Sequence, residues 1–211
     1  ECVIMSLIPV GLLISYGATL LLVGIVIGLQ YSKYYYNGNE TNASGKWPEM
    51  QTFLTRLTYA AQRHYFDYTI EYRGAADLKE RVAQSLGDKP GANRPAIFAA
   101  SPHGILALSS LFHVGVPLDT RWQSVVPCVH RHVFFFPVLR ELACWLGAID
   151  VAWKNMEAML RQGHSLYLAP GGCREMILDA DQPIQTRHKG FLRLAWQERC
   201  PVFAVIHTGQ D

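Results

Sequence analysis

Apolar and polar positions change their spacing several times along the chain. From Val3 to Leu29 run 27 consecutive uncharged residues, most of them aliphatic, against the roughly 20 that a helix needs to cross the hydrocarbon core. This stretch predicts a membrane segment over residues 1–36, either one tilted span or a re-entrant hairpin. Pro9 and the glycines at 11, 17, 24 and 28 leave both geometries open, and Gly24 and Gly28 would allow a homo-oligomeric helix contact. The run exceeds the roughly 7 to 15 residues of a signal-peptide core. Tyr31, Tyr34, Tyr35 and Tyr36 around Lys33 suit a membrane-water interface. Residues 37–48, NGNETNASGKWP, form a polar linker, after which one domain is expected over residues 49–211.

Between Glu49 and His64 apolar residues recur at Met50, Phe53, Leu54, Leu57 and Ala61. That period predicts a helix packing this face onto a body below. YTIEYRG, residues 68–74, alternates like a strand, and LGDKPGANRP, residues 86–95, is turn chemistry. Strand-like and helix-like stretches then alternate. AIFAA, SVVPCV, AIDVAW, SLYLAP and PVFAVIH read as strands; FPVLRELACWLG, NMEAMLRQG and GFLRLAWQER read as helices, with another opening at His103 or Gly104. Such alternation predicts an α/β fold with a mainly parallel sheet flanked by helices, whose ligands sit at the carboxyl ends of the strands. Two loops stand there: Ser101-Pro102-His103-Gly104 and Pro170-Gly171-Gly172-Cys173-Arg174-Glu175.

The net charge of +2 gives no global case for nucleic acid as a partner. Five scattered cysteines, with no CxxC pair, fit reduced thiols. Two sequons, at Asn39 and Asn42, lie in the polar linker, where such triplets arise by chance.

An unperturbed imidazole suits proton abstraction near neutral pH, which makes His103 a candidate base, with Gly104 leaving room for a substrate, though a lone histidine is more often structural. The paired glycines of APGGCRE can turn backbone N–H groups toward an anion, or can close a tight turn. Arg187, Lys189 and Arg193, with no acid from Gln182 to Gln197, form either a phosphate-seeking patch or a solvated basic face. His130 and His132 share one side of a predicted strand but lack a third metal ligand. Phe134, Phe135 and Phe136 read as core or as the wall of a lipid channel, with core favoured. Cys173 beside Arg174 is an alternative nucleophile without an evident base.

Five stretches in order carry a resemblance: RHYFDYTIEY, SPHGILALSS, FFFPVLRELACWLGAIDVAWKNMEAMLRQG, YLAPGGCREM and RHKGFLRLAWQERCPVFAVIHTGQD. Together they resemble the type 2 diacylglycerol acyltransferase family, which includes monoacylglycerol and wax-alcohol acyltransferases. PGG followed by Arg-Glu also resembles the plastid phytyl ester synthases and related membrane acyltransferases of the wider glycerolipid acyltransferase superfamily. The resemblance implies acyl transfer from acyl-CoA to a hydroxyl of a membrane lipid, with no metal or redox cofactor, in the endoplasmic reticulum membrane with the catalytic domain facing the cytosol. Its HPHG signature falls on Ser101, Pro102, His103 and Gly104, making His103 the implied base, with Ser101 in place of the first histidine. Its glycine-rich motif ending in glutamate falls on Gly171, Gly172 and Glu175, with Pro170 and Arg174 as further binding candidates, and Glu175 is the candidate partner of His103 on motif position. Its R/K-x-G-F segment falls on Arg187 to Phe191, Gly190 included, and Arg187, Lys189 and Arg193 are the candidate grip on coenzyme A phosphates. Leu108 stands where the wider superfamily has an aspartate. The family pattern continues past Asp211, so a longer protein is expected.

Overall fold

A computed structural model describes residues 16–28, 37–87, 94–101, 110–172 and 188–207. The chain divides into two units, residues 1–38 and 39–211. In the first, residues 16–28 form a helix, α1, whose side chains are exposed all round. Among the described residues no helix is long and apolar enough to cross a membrane. The remainder of the expected segment, residues 1–15 and 29–36, lies outside the described residues.

The second unit is built on five parallel strands: β1 (Ile97–Ser101), β2 (Val126–Val129), β3 (Ile149–Asp150), β4 (Leu166–Leu168) and β5 (Val202–Ile206). Their order is β3-β2-β4-β1-β5, so β4 inserts between β1 and β2. Ala99 pairs with Leu168 and Ser101 with Ile206. Around the sheet lie α2 (Asn39–Asn42), α3 (Pro48–Ala60), α4 (Leu78–Ser85), α5 (Pro137–Trp145), α6 (Trp153–Arg161) and α7 (Gly190–Gln197). Pro48 and Pro137 open α3 and α5, where a missing N–H costs nothing.

Because parallel strands are buried on both faces they read as apolar runs. Ile97, Leu166 and Leu168 pack on one side against Met159 and Leu160 of α6 and Leu194 of α7. Phe98, Tyr167 and Phe203 pack on the other side against Val82 of α4, with Val114 and Trp122. Phe98 is the hub there, stacked on Phe203 at 5.4 Å between ring centroids and tilted against Trp122 at 4.8 Å.

Three local expectations are corrected. Residues 68–74 form no strand: Tyr68 and Tyr72 are partly buried, Tyr72 against the Phe98 cluster, while the residues between them stay exposed. AIDVAW supplies only Ile149–Asp150 to the sheet, and Trp153 already begins α6. The third concerns the buried face of α3. Gln51, and Gln62 in the π-helical turn Ala61–Tyr65 that continues α3, point inward, not Phe53 and Leu57. Gln51 Nε2 donates to the carbonyls of Val114 and Gly115 at 3.3 and 2.7 Å, and Gln62 Nε2 to that of Val116 at 3.0 Å. Those carbonyls end the π-helical turn Leu111–Gly115, where helical geometry leaves acceptors without partners. Polar demand at that end overrides the apolar period of α3.

Candidate functional site at the carboxyl edge of the sheet

Ser101 is the last residue of β1 and is buried. Continuing the register one dipeptide beyond the Ala99 and Leu168 pair sets Pro170 level with Ser101, on strands about 4.8 Å apart. The two loops singled out by the sequence thus leave the sheet from neighbouring strands that lie 65 positions apart, from Ser101 to Leu166. Pro102, His103, Gly104, Arg174, Glu175, Arg187 and Cys173 lie outside the described residues.

Pro170, Gly171 and Gly172 form a turn closed by the Gly172 N–H donating to the Ala169 carbonyl at 3.1 Å. Gly172 has φ +57°, a left-handed conformation that glycine adopts without penalty. Its N–H is therefore committed to the turn, whereas that of Gly171, a buried residue, meets no acceptor among the described residues. Lys189 and Gly190 open α7, which returns the chain from the carboxyl edge to the start of β5. Among the described residues no side chain caps this helix end, and Lys189, Gly190 and Arg193 are exposed. An uncapped helix start beside two cations suits an anion.

Beneath the β1 end, on the α4 face of the sheet, lies a buried polar network that the sequence did not announce. Tyr167 of β4 reaches across β1 to His207, which follows β5; its hydroxyl lies 2.7 Å from His207 Nε2 and 3.2 Å from Ser110 Oγ. Burial raises the Tyr167 pKa, so the phenol stays protonated. Its one proton goes to one partner, and it accepts from the other. His113 stacks on Tyr167 at 5.5 Å, meets Trp122 in a T-shaped contact at 3.9 Å, and pairs through Nδ1 with the Tyr68 hydroxyl at 2.9 Å. Burial, reinforced by His207, holds the His113 imidazole at about 3, so it is neutral near pH 7. Its Nε2 has no hydrogen-bond partner among the described residues. Ser101 and Ser110 bracket the segment that carries His103, so the network ties down its far end. The signal available in the sequence was a tyrosine inside the apolar run SLYL, since a buried phenol requires a partner.

Elsewhere the structure narrows the candidates. His130 and His132 belong to a 3-10 turn, Arg131–Phe135 and its cap, rather than to a strand, and both are exposed. Among the described residues no cluster of three or more metal-ligating side chains occurs. Phe134 is core, but Phe135 and Phe136 face outward, which corrects the expectation of core for all three. Cys128, Cys144 and Cys200 are free and buried; burial raises all three pKa values, Cys144 and Cys200 to about 11, which makes poor nucleophiles of them.

The model of the family described as diacylglycerol acyltransferase matches residues 40–211. The chain belongs to the diacylglycerol acyltransferase family. It is similar to Diacylglycerol O-acyltransferase 1 of Eremothecium gossypii, 30% identical over 125 residues, which is 53% of this chain and 27% of that protein. Its likeness to Diacylglycerol O-acyltransferase 1 of Saccharomyces cerevisiae is 30% over 121 residues, 51% of this chain and 29% of that protein. The matched stretch is thus less than a third of the length of either relative. No solved structure matches this family member.

Proposed function

We propose that the chain carries the catalytic part of a membrane-associated O-acyltransferase that moves a fatty acyl group from acyl-CoA to the hydroxyl of diacylglycerol or a related neutral lipid. The observation that carries this reading is the adjacency of β1 and β4. His103 follows Ser101 by two positions and Glu175 follows Gly172 by three, so chain connectivity ties both to one edge. His103 takes the acceptor's proton as the hydroxyl oxygen attacks the thioester carbonyl, and Glu175 orients the imidazole. The Gly171 N–H stabilises the oxyanion. The carbon–sulfur bond then breaks and the coenzyme A thiolate leaves, taking the proton back from His103. Arg187, Lys189 and Arg193 hold its phosphates. In this reading the catalytic domain faces the cytosol from the endoplasmic reticulum membrane.

Membranes carrying the full chain, its His103→Ala variant or its Cys173→Ala variant are given labelled acyl-CoA with diacylglycerol, monoacylglycerol, fatty alcohol or lysophosphatidate. The expected result is ester formation on a neutral acceptor that falls roughly 10²- to 10⁴-fold in His103→Ala. Transfer that survives His103→Ala but is lost in Cys173→Ala overturns the reading, as does preference for lysophosphatidate or no transfer to any acceptor.

A further inference from the structure

Two adjoining helices of the second unit are inside out. In α3 the fully buried position is Gln51, followed by Gln62 in the π-helical turn Ala61–Tyr65 that continues it, while Phe53 is exposed and Leu57 keeps 68% of its surface. α5 buries Arg140, 1% exposed and paired with Glu40 at 2.9 Å and Glu141 at 2.8 Å, together with the small Cys144, while Val138 keeps 72% and Leu139 and Leu142 are exposed. The helices meet where the Trp47 N–H donates to the Trp145 carbonyl at 2.9 Å and the two indoles pack edge to face at 5.6 Å. A single exposed leucine is ordinary, but two neighbouring helices that bury polar groups and present aliphatic rows are arranged for an apolar exterior.

What covers these faces is indicated by their borders. At 100° per residue, Phe53, Leu57 and Ala60 share the outer side of α3 and exposed Arg56 lies on one flank, with exposed Arg63 in the π-helical turn that follows. Before α5, exposed Phe135 and Phe136 continue its aliphatic row, with Arg131 over the Phe135 ring at 5.7 Å. Of the nearby acids, Glu141 is already paired with Arg140, and Glu49 lies at the first turn of α3. An apolar row flanked by arginines and aromatics matches acyl chains below and anionic headgroups at the rim.

We propose that the outer faces of α3 and α5 form a second membrane contact, separate from the apolar stretch of residues 3–29, and that they seat this unit in the headgroup and upper acyl region of an anionic bilayer. This does not rest on the acyl-transfer reading, because lipid contact is read without turnover and either can fail alone.

The full chain, carrying a photoreactive benzoylphenylalanine at position 57, 138 or 79, is reconstituted in phosphatidylcholine vesicles with phosphatidylserine and irradiated. Lys79, exposed on α4, is the control. The expected result is lipid adducts at 57 and 138 and only background at 79. Adducts on peptides of this chain or of a second copy overturn the proposal, as do no adducts or equal lipid labelling at all three positions. Combining Arg56→Glu with Arg63→Glu is expected to lower the share of phosphatidylserine among the adducts at 57 several-fold. An unchanged share overturns the anionic preference.

Discussion

His113 makes the buried network testable by acid. Its imidazole is 4% exposed and is held at about 3, against 6.5 for a free histidine. A folded-state pKa below the unfolded one means that the unfolded chain binds the proton first as pH falls. The stabilisation is therefore complete above about pH 6.5 and is lost progressively between there and about pH 3. At pH 5 the unfolded chain is protonated at this site nearly always and the folded one almost never, which removes about 2 kcal/mol of stability relative to pH 7.5. The figure hardly changes if the folded value lies anywhere below about 4, because pH 5 then sits above it in every case. The matching variant is His113→Gln, whose side-chain oxygen can still accept from Tyr68 but does not titrate. Urea unfolding of the detergent-solubilised chain, followed by tryptophan fluorescence at pH 7.5 and pH 5, gives the two stabilities. His164, which burial also lowers, destabilises at acid pH in both proteins, so the difference between them isolates His113. The wild type should lose about 2 kcal/mol more than His113→Gln on acidification. Equal losses, or a wild type that gains stability in acid, would refute the claim of a buried neutral imidazole.

Two further perturbations test the site from other sides. Tyr167→Phe removes the hydroxyl shared by Ser110 and His207 and should cost about 1–3 kcal/mol in the same unfolding measurement. If the network positions the His103 segment, kcat for acyl transfer falls as well; a variant with lowered stability and wild-type kcat would show the network to be structural only. At Gly172, with φ +57° and nothing within 4 Å of a Cβ, the cost of substitution is backbone strain. Gly172→Ala should lose about 1–2 kcal/mol and Gly172→Asn less, read by thermal unfolding, and equal midpoints for the two would remove the left-handed turn from the argument.

The alternation of apolar runs and helical periods made the parallel sheet legible from about Ala96 onward, because strands buried on both faces have no polar side to interrupt them. Strand order was not legible. That β4 enters beside β1 depends on how crossovers pack, not on local pattern, and this is what brings the two candidate loops together. The face of α3 was misread for a related reason. Counting Phe53 and Leu57 as inward assumes water outside, and the inward glutamines become intelligible only with the carbonyls of Val114, Gly115 and Val116 in view. The pairing of Tyr167 with His207 was not legible because each is a lone polar group in or after an apolar strand, and their 2.7 Å contact spans 40 positions.

These observations meet in α3. Its inward Gln51, with Gln62 of the π-helical turn that continues it, holds the end of the turn that carries His113, and Ser110, immediately before that turn, is tied to Tyr167. The segment leading from Ser101 to Ser110 is therefore anchored at one end by the sheet and at the other by a helix whose outer face is apolar. A displacement of α3 would act first on the carbonyls of Val114 to Val116 and then, through the five-residue turn, on Ser110. If lipid seats that outer face, the bilayer bears on the His103 segment through rigid helix and hydrogen bonds rather than by covering an entrance. Losing the contact should then reduce turnover without touching any group that meets the substrate.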